Sequence, residues 1–220
     1  MNFNSLIVLL GLYSTLSLAA PSNNKPALTT PPPTSSTNYT IVVLGDSLTD
    51  GYGLAKEQAF PALVEKKFHA EGQKDIKVIN AGISGSTSSS APQRLKWFLK
   101  TKPQVLVVAL GANDGLRGIP TAQLYKNLSK TIQTAQDSHI KVILFGMKMP
   151  ANYGSKYQKD FEKVYTDLAK KYKVELFNFL LTDVATIKEL NQEDGIHPNA
   201  KGHEIIAANV HQFLKKVLKK

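Results

Sequence analysis

Thr40-Ile41-Val42-Val43-Leu44-Gly45-Asp46-Ser47 decides the fold. Five β-branched or apolar residues run without a polar interruption and stop at a glycine. A strand with one face in water would alternate; a continuous run suits a strand covered on both faces, as parallel sheets require. The pattern recurs along the chain. Lys77–Asn80 is short and ends at Ala81-Gly82, Val105–Leu110 ends at Gly111, Val142–Phe145 ends at Gly146, and Val174–Phe177 is the last. Between these runs lie segments of helical period, over about 58–71, 88–100, 121–137, 155–172 and 182–190, with a final one at 199–218. Leu63, Phe68, Leu124, Leu128, Ile132, Phe161, Tyr165 and Leu168 carry the core-facing stripes. Strands alternating with helices predict an α/β fold, a three-layer α/β/α sandwich on a five-stranded parallel sheet. The expected strand order is 2-1-3-4-5, the flavodoxin-like arrangement, and such sheets bind ligands at the carboxyl ends of their strands.

Composition narrows the chemistry. The chain has 220 residues, 42% of them apolar, enough for one full core plus extensions. It has no cysteine, which excludes disulfide scaffolds, thiolate metal sites and cysteine nucleophiles. The formal net charge is +10, and Lys25 is the only charged residue among the first 38. The excess is mostly diffuse lysine, with one tight cluster at Lys215, Lys216, Lys219 and Lys220. No basic run interleaves with aromatics and no nucleic-acid motif is present, so nucleic acid is not an expected partner. Peripheral contact with anionic lipid is compatible with the charge.

The first segment is expected to lie outside the fold. Ser5–Ala20 is apolar, led by Leu6, Ile7, Val8, Leu9 and Leu10, but short and broken by Ser14, Thr15 and Ser17. Ser17 and Ala19 then supply small residues at the −3 and −1 positions of a cut. Residues 1–19 therefore read as a secretory signal peptide and predict a periplasmic or secreted protein. Residues 20–38 are rich in Pro, Ser and Thr, with Pro31, Pro32 and Pro33 in a row, and read as an extended linker. The folded domain is expected over 39–220, as a monomer.

The strand ends carry the polar residues. Gly45-Asp46-Ser47-Leu48-Thr49 follows the first strand, Asn80-Ala81-Gly82-Ile83-Ser84-Gly85 the second, and Gly111-Ala112-Asn113-Asp114-Gly115 the third. Asp194-Gly195-Ile196-His197-Pro198 precedes the last helix. Each alone reads equally well as an ordinary turn. Together they offer a serine hydroxyl, an imidazole with a carboxylate three residues away, and donors from three loops. Those are the parts that acyl transfer from an ester needs. Asp46 and Asp114 are expected to fix loop geometry, and His69, His139, His203 and His211 to be structural or solvent-facing.

These four segments resemble the sequence blocks of the SGNH, or GDSL, hydrolase superfamily, over essentially all of residues 39–214. Gly115-Leu116-Arg117-Gly118 and Pro150-Ala151-Asn152-Tyr153-Gly154 resemble its periplasmic acyl-CoA thioesterase, lysophospholipase and arylesterase branch. The resemblance implies Ser47 as nucleophile, His197 as base and Asp194 as its partner. It implies an oxyanion hole from the Ser47 amide, the Gly85 amide and the Asn113 side chain, with no metal or organic cofactor. Leu116, Ile119, Met149, Pro150 and Tyr153 are expected to line an acyl groove for an ester or thioester substrate. Two rivals remain: a carbohydrate O-deacetylase of the same superfamily, and a non-catalytic envelope-binding protein. An α/β-hydrolase is disfavoured because Thr49 stands where a Gly-x-Ser-x-Gly elbow needs its second glycine.

Overall fold

The structure, a computed structural model, describes residues 39–218. The signal peptide and linker expected over 1–38 lie outside the described residues. Five parallel strands form one sheet in the order β2-β1-β3-β4-β5, as the run of apolar segments predicts. They are β1 (Tyr39–Gly45), β2 (Ile76–Gly82), β3 (Val105–Ala109), β4 (Lys141–Phe145) and β5 (Glu175–Phe177). The central strands β1 and β3 are buried almost throughout, which is why their sequences do not alternate. The edge strand β2 leaves Lys77 exposed.

Two short helices stand at strand ends, α1 (Ser47–Asp50) after β1 and α4 (Ala112–Leu116) after β3. The longer helices are α2 (Phe60–Ala70), α3 (Ala91–Leu99), α5 (Thr121–Asp137), α6 (Ser155–Tyr172) and α7 (Ala200–Leu218). Helix α2 packs on α7; α5 packs on both α3 and α6. The core residues read from helical spacing, including Phe68, Leu124, Leu128, Ile132, Phe161, Tyr165 and Leu168, are buried; Leu63 is half-buried against the same core.

One expected helix is absent. Residues 182–190 form successive turns that close in a single 3-10 turn, Lys188–Leu190. Asp183 and Thr186 take φ of 64° and 66°, in the left-handed region, which a helix interior does not admit. The Asn191 carboxamide then donates to the carbonyls of Val184 and Ile187, both at 2.8 Å, capping groups that a helix would pair internally. The irregular segment matters because it forms one wall of the groove described below.

Candidate active site

The carboxyl edge of β1 turns sharply into α1. Asp46 is the helix N-cap: its Oδ1 accepts the Leu48 N–H at 3.0 Å, which sets Ser47 at the first helical position. Gly45 is required there by space, since a Cβ would lie 1.9 Å from Thr49 Oγ1. Asp46 is fully buried, and that burial pushes its carboxyl up to about 7.

The imidazole arrives from the other end of the chain. Asp194 Oδ1 accepts the backbone N–H groups of Ile196 and His197, each at 3.0 Å, folding residues 194–197 into a tight turn. That turn brings Asp194 Oδ2 to 2.6 Å from His197 Nδ1, while His197 Nε2 lies 2.9 Å from Ser47 Oγ. The tautomer that satisfies both contacts carries its proton on Nδ1 and accepts the serine hydroxyl at Nε2. Desolvation works to raise the Asp194 carboxyl, but the hydrogen bonds from the His197 ring and from the His197 and Ile196 amides outweigh it and hold it down to about 2. Gln192 bridges the two halves of the site. Its Nε2 donates to Tyr52 O at 2.7 Å and Pro198 O at 3.1 Å, and the Tyr52 ring lies 4.7 Å from the His197 ring.

The second and third strand ends close the site. The Gly82 N–H is committed to Asn80 Oδ1 at 2.9 Å, and the Asn80 carboxamide donates to Thr49 O at 2.8 Å. The Gly82 amide is therefore spent on the loop. Among the described residues, the N–H groups of Ser47 and Gly85 donate to no protein acceptor. Gly85 has φ +78°, a conformation favouring glycine, and its carbonyl accepts from Arg117 at 2.9 Å. Asn113, the second residue of α4, faces the same cleft as Ser47 and His197, and donates to Ser86 O at 3.1 Å. Beneath it, buried Asp114 accepts the Ser88 N–H at 2.8 Å and the Ser88 hydroxyl at 2.5 Å.

A groove of about 340 Å³ opens beside Ser47, within the range of small-molecule sites. Leu48, Leu116, Met149, Pro150, Phe179 and Ile196 are among the apolar residues that line it. Of the five residues expected there, Leu116, Met149 and Pro150 do line it, whereas Ile119 and Tyr153 do not. The Tyr153 hydroxyl donates to Leu116 O at 3.2 Å, and the Ile119 carbonyl accepts from Tyr157 at 2.9 Å, so both residues brace the α4 loop from behind. Phe179 and Leu181, just ahead of the helix expected over 182–190, and Ala185 within that segment line the groove without having been anticipated.

Arg94 is the other residue that sequence reading missed. It is 4% exposed, on α3, and donates to the carbonyls of Gly45 and Ala81, at the ends of β1 and β2. It thereby ties together the strands that carry Ser47 and the Gly85 loop. The signal lay in its spacing, because Arg94 falls on the apolar stripe of Ala91 and Leu95.

A hydroxyl, imidazole and carboxylate in line, with the unspent Ser47 amide at the hydroxyl, define a hydrolase of acyl esters. Comparison with known proteins agrees. Residues 43–205 match the GDSL-like Lipase/Acylhydrolase family. Esterase TesA of Pseudomonas aeruginosa is 40% identical over 180 residues, covering 81% of this chain and 89% of that protein. The thioesterase 1/protease 1/lysophospholipase L1 of Escherichia coli is 38% identical over 169 residues, covering 76% and 79%. The crystal structure of the psychrotrophic esterase EstA from Pseudoalteromonas sp., inhibited by monoethylphosphonate, superposes with a TM-score of 0.79 at 36% identity, covering 83% of this chain and all of that one. The chain belongs to the GDSL-like lipase/acylhydrolase family, and it is a hydrolase acting on ester bonds.

Proposed function

We propose that Ser47, His197 and Asp194 perform this hydrolysis as a triad, on esters or thioesters of medium to long acyl chains such as lysophospholipids, acyl-CoA or aryl esters. Ser47 Oγ attacks the carbonyl carbon as His197 Nε2 takes its proton, and Asp194 holds the tautomer and stabilises the imidazolium. The carbonyl oxygen becomes an oxyanion, held by the amides of Ser47 and Gly85 and the Asn113 carboxamide. Collapse expels the alcohol or thiol, which takes the proton from His197. Water, deprotonated by His197, then releases the acid from the acyl-serine. The observation that carries this reading is the unbroken chain from Asp194 Oδ2 through the imidazole to Ser47 Oγ, at 2.6 and 2.9 Å.

The apolar groove supports the acyl preference, and weighs against an acetyl-sugar deacetylase, whose leaving group is polar and whose acyl part is small. We further infer that the protein is exported, on the apolar Ser5–Ala20 segment with its small residues Ser17 and Ala19. One panel tests the reading: acyl-CoA, lysophospholipid, p-nitrophenyl esters of rising chain length and acetylated sugars, beside Ser47→Ala. Turnover by Ser47→Ala above about a thousandth of the parent rate would reject the nucleophile. Release from acetyl esters alone would reject the groove.

A further inference from the structure

The positive charge is unevenly distributed. Residues 88–136 contain seven basic residues and a single acid, Asp114, which is buried. Arg94 is buried as well, so the exposed charges of this segment are all positive. On α3 the exposed stripe is Gln93, Lys96 and Trp97, continued by Lys100 just past the helix end, at helical spacing. Opposite, α5 exposes Lys126 and Lys130, which share a groove of about 360 Å³ with Gln93 and Lys96. The same two lysines line an adjoining depression walled by Tyr125 and Tyr172, and Lys171 lies over both rings, 5.5 and 5.0 Å from their centroids. Among the described residues, Lys96, Lys126 and Lys130 make no ion pair, whereas on α6 Lys156 and Lys163 are each paired within the helix, to Asp160 and Asp167.

Trp97 stands at the edge of this face. It is the chain's only tryptophan and is 59% exposed, more than any other large apolar side chain described. An indole left in water forgoes the burial that its ring would gain elsewhere. Lysines alongside an exposed aromatic fit the boundary of an anionic bilayer, where the cations meet headgroup phosphates and the indole enters the interface. A soluble polyanion would satisfy the lysines and leave the indole in water.

We propose that the α3–α5 face, built on Lys96, Trp97, Lys126 and Lys130, docks the protein onto a bilayer containing anionic phospholipid. This surface lies outside the groove and the triad, so it stands or falls separately from the catalytic reading. Because Trp97 is the sole tryptophan, its emission reports directly on this face. The protein is titrated with vesicles of phosphatidylcholine alone and with vesicles containing about one-third phosphatidylglycerol, at low and at half-molar salt. The anionic vesicles should shift Trp97 emission to the blue and allow quenching by bromine-labelled acyl chains, and high salt should reverse both. Replacing Lys126 and Lys130 by Gln should weaken partitioning roughly thirtyfold, two cations being worth about 1 kcal/mol each near such a surface. Hydrolysis of a soluble p-nitrophenyl ester should not change in that variant.

Three results would overturn the proposal. Equal response to neutral vesicles would remove the charge argument. Sedimentation with anionic vesicles while Trp97 stays unquenched would put the contact on another face. Tight binding to heparin or polyphosphate with no vesicle response would make this a polyanion surface.

Discussion

Replacing Asp194 by Asn tests whether the carboxylate governs the imidazole or only shapes the turn. The carboxamide is nearly isosteric, and its Oδ1 keeps the Ile196 and His197 amides that Asp194 accepts at 3.0 Å. Its Nδ2 stands where Oδ2 now lies, 2.6 Å from His197 Nδ1. An N–H donor at that position turns Nδ1 into the acceptor and moves the ring proton to Nε2, which faces Ser47 Oγ at 2.9 Å. The base then has no lone pair for the serine proton. Recovering the productive tautomer would set two N–H groups against each other and forfeit the charge that stabilises the imidazolium. A loss of about ten-thousandfold in kcat follows, or about 5 kcal/mol of barrier. Stability should hardly move, because the turn survives and a carboxylate as exposed as this one contributes little beyond its turn bonds.

The assay is kcat on a p-nitrophenyl ester beside the urea midpoint, with Asp194→Ala as the contrast. The alanine variant loses the turn acceptors too, so its activity and its midpoint should fall together. If Asp194→Asn kept kcat within tenfold of the parent, the carboxylate would not be setting the tautomer, and the triad argument would fail. The parent supplies a second check. Opposed by desolvation but dominated by its hydrogen bonds, the Asp194 carboxyl sits at about 2 against an ordinary 3.8. A depressed acid stabilises the fold fully above its ordinary value and loses that contribution as pH falls through the folded one. Asp194 therefore stays ionised in mild acid, and any loss of activity near neutral pH must come from another group.

Three further outcomes follow from the surroundings of the site. In Gly115→Ala the new Cβ would lie 2.0 Å from Met149 Sδ; the flexible methionine should yield into the groove, lowering kcat/KM on long-chain esters relative to acetyl esters, and an unchanged chain-length profile would contradict this. Asp114→Ala strands the buried Ser88 amide and hydroxyl and should lower stability by roughly 2–4 kcal/mol in urea unfolding; a loss under about 1 kcal/mol would mean that the carboxylate is dispensable. His203 accepts the Phe60 N–H at 3.1 Å through Nδ1, and burial first, then the nearby His197, pulls it down to about 4. The unfolded chain therefore takes up this proton first, so stability falls with pH from about 6.5 toward 4, by about 2 kcal/mol between pH 7 and pH 5. Equal urea midpoints at those two values would refute it.

The sheet was readable because burial on both faces leaves no choice of residue: β1 and β3 show it as unbroken apolar runs, and alternation with helices implies that the strands run parallel. That Ser47, His197 and Asp194 would meet was readable only from the combination: each turn is ordinary alone, but the segments follow one another at strand ends in the pattern that resembles one hydrolase superfamily. The groove was only half readable. Met149 and Leu116 face it and Tyr153 does not, a difference set by a hydroxyl-to-carbonyl bond between residues 37 positions apart. The segment 182–190 misled for a related reason. Its apolar spacing suits a helix, but Asn191 takes the carbonyls and Thr186 turns left-handed. Local pattern is silent wherever a side chain competes with the backbone for the same partner.

Arg94 shows what can be recovered from such cases. Helix α3 presents Ala91 and Leu95 to the sheet, and a guanidinium on that stripe must leave water. Burial lowers its pKa, and the charge on Asp46 works in the opposite direction. A desolvated cation persists only where acceptors already converge. In a parallel α/β sheet, the carbonyls at the carboxyl ends of the strands are such acceptors, and these are the ends that hold the chemistry. A charged residue out of place on a core-facing stripe therefore points to the strand ends, and here it points to the two that carry Ser47 and the Gly85 loop.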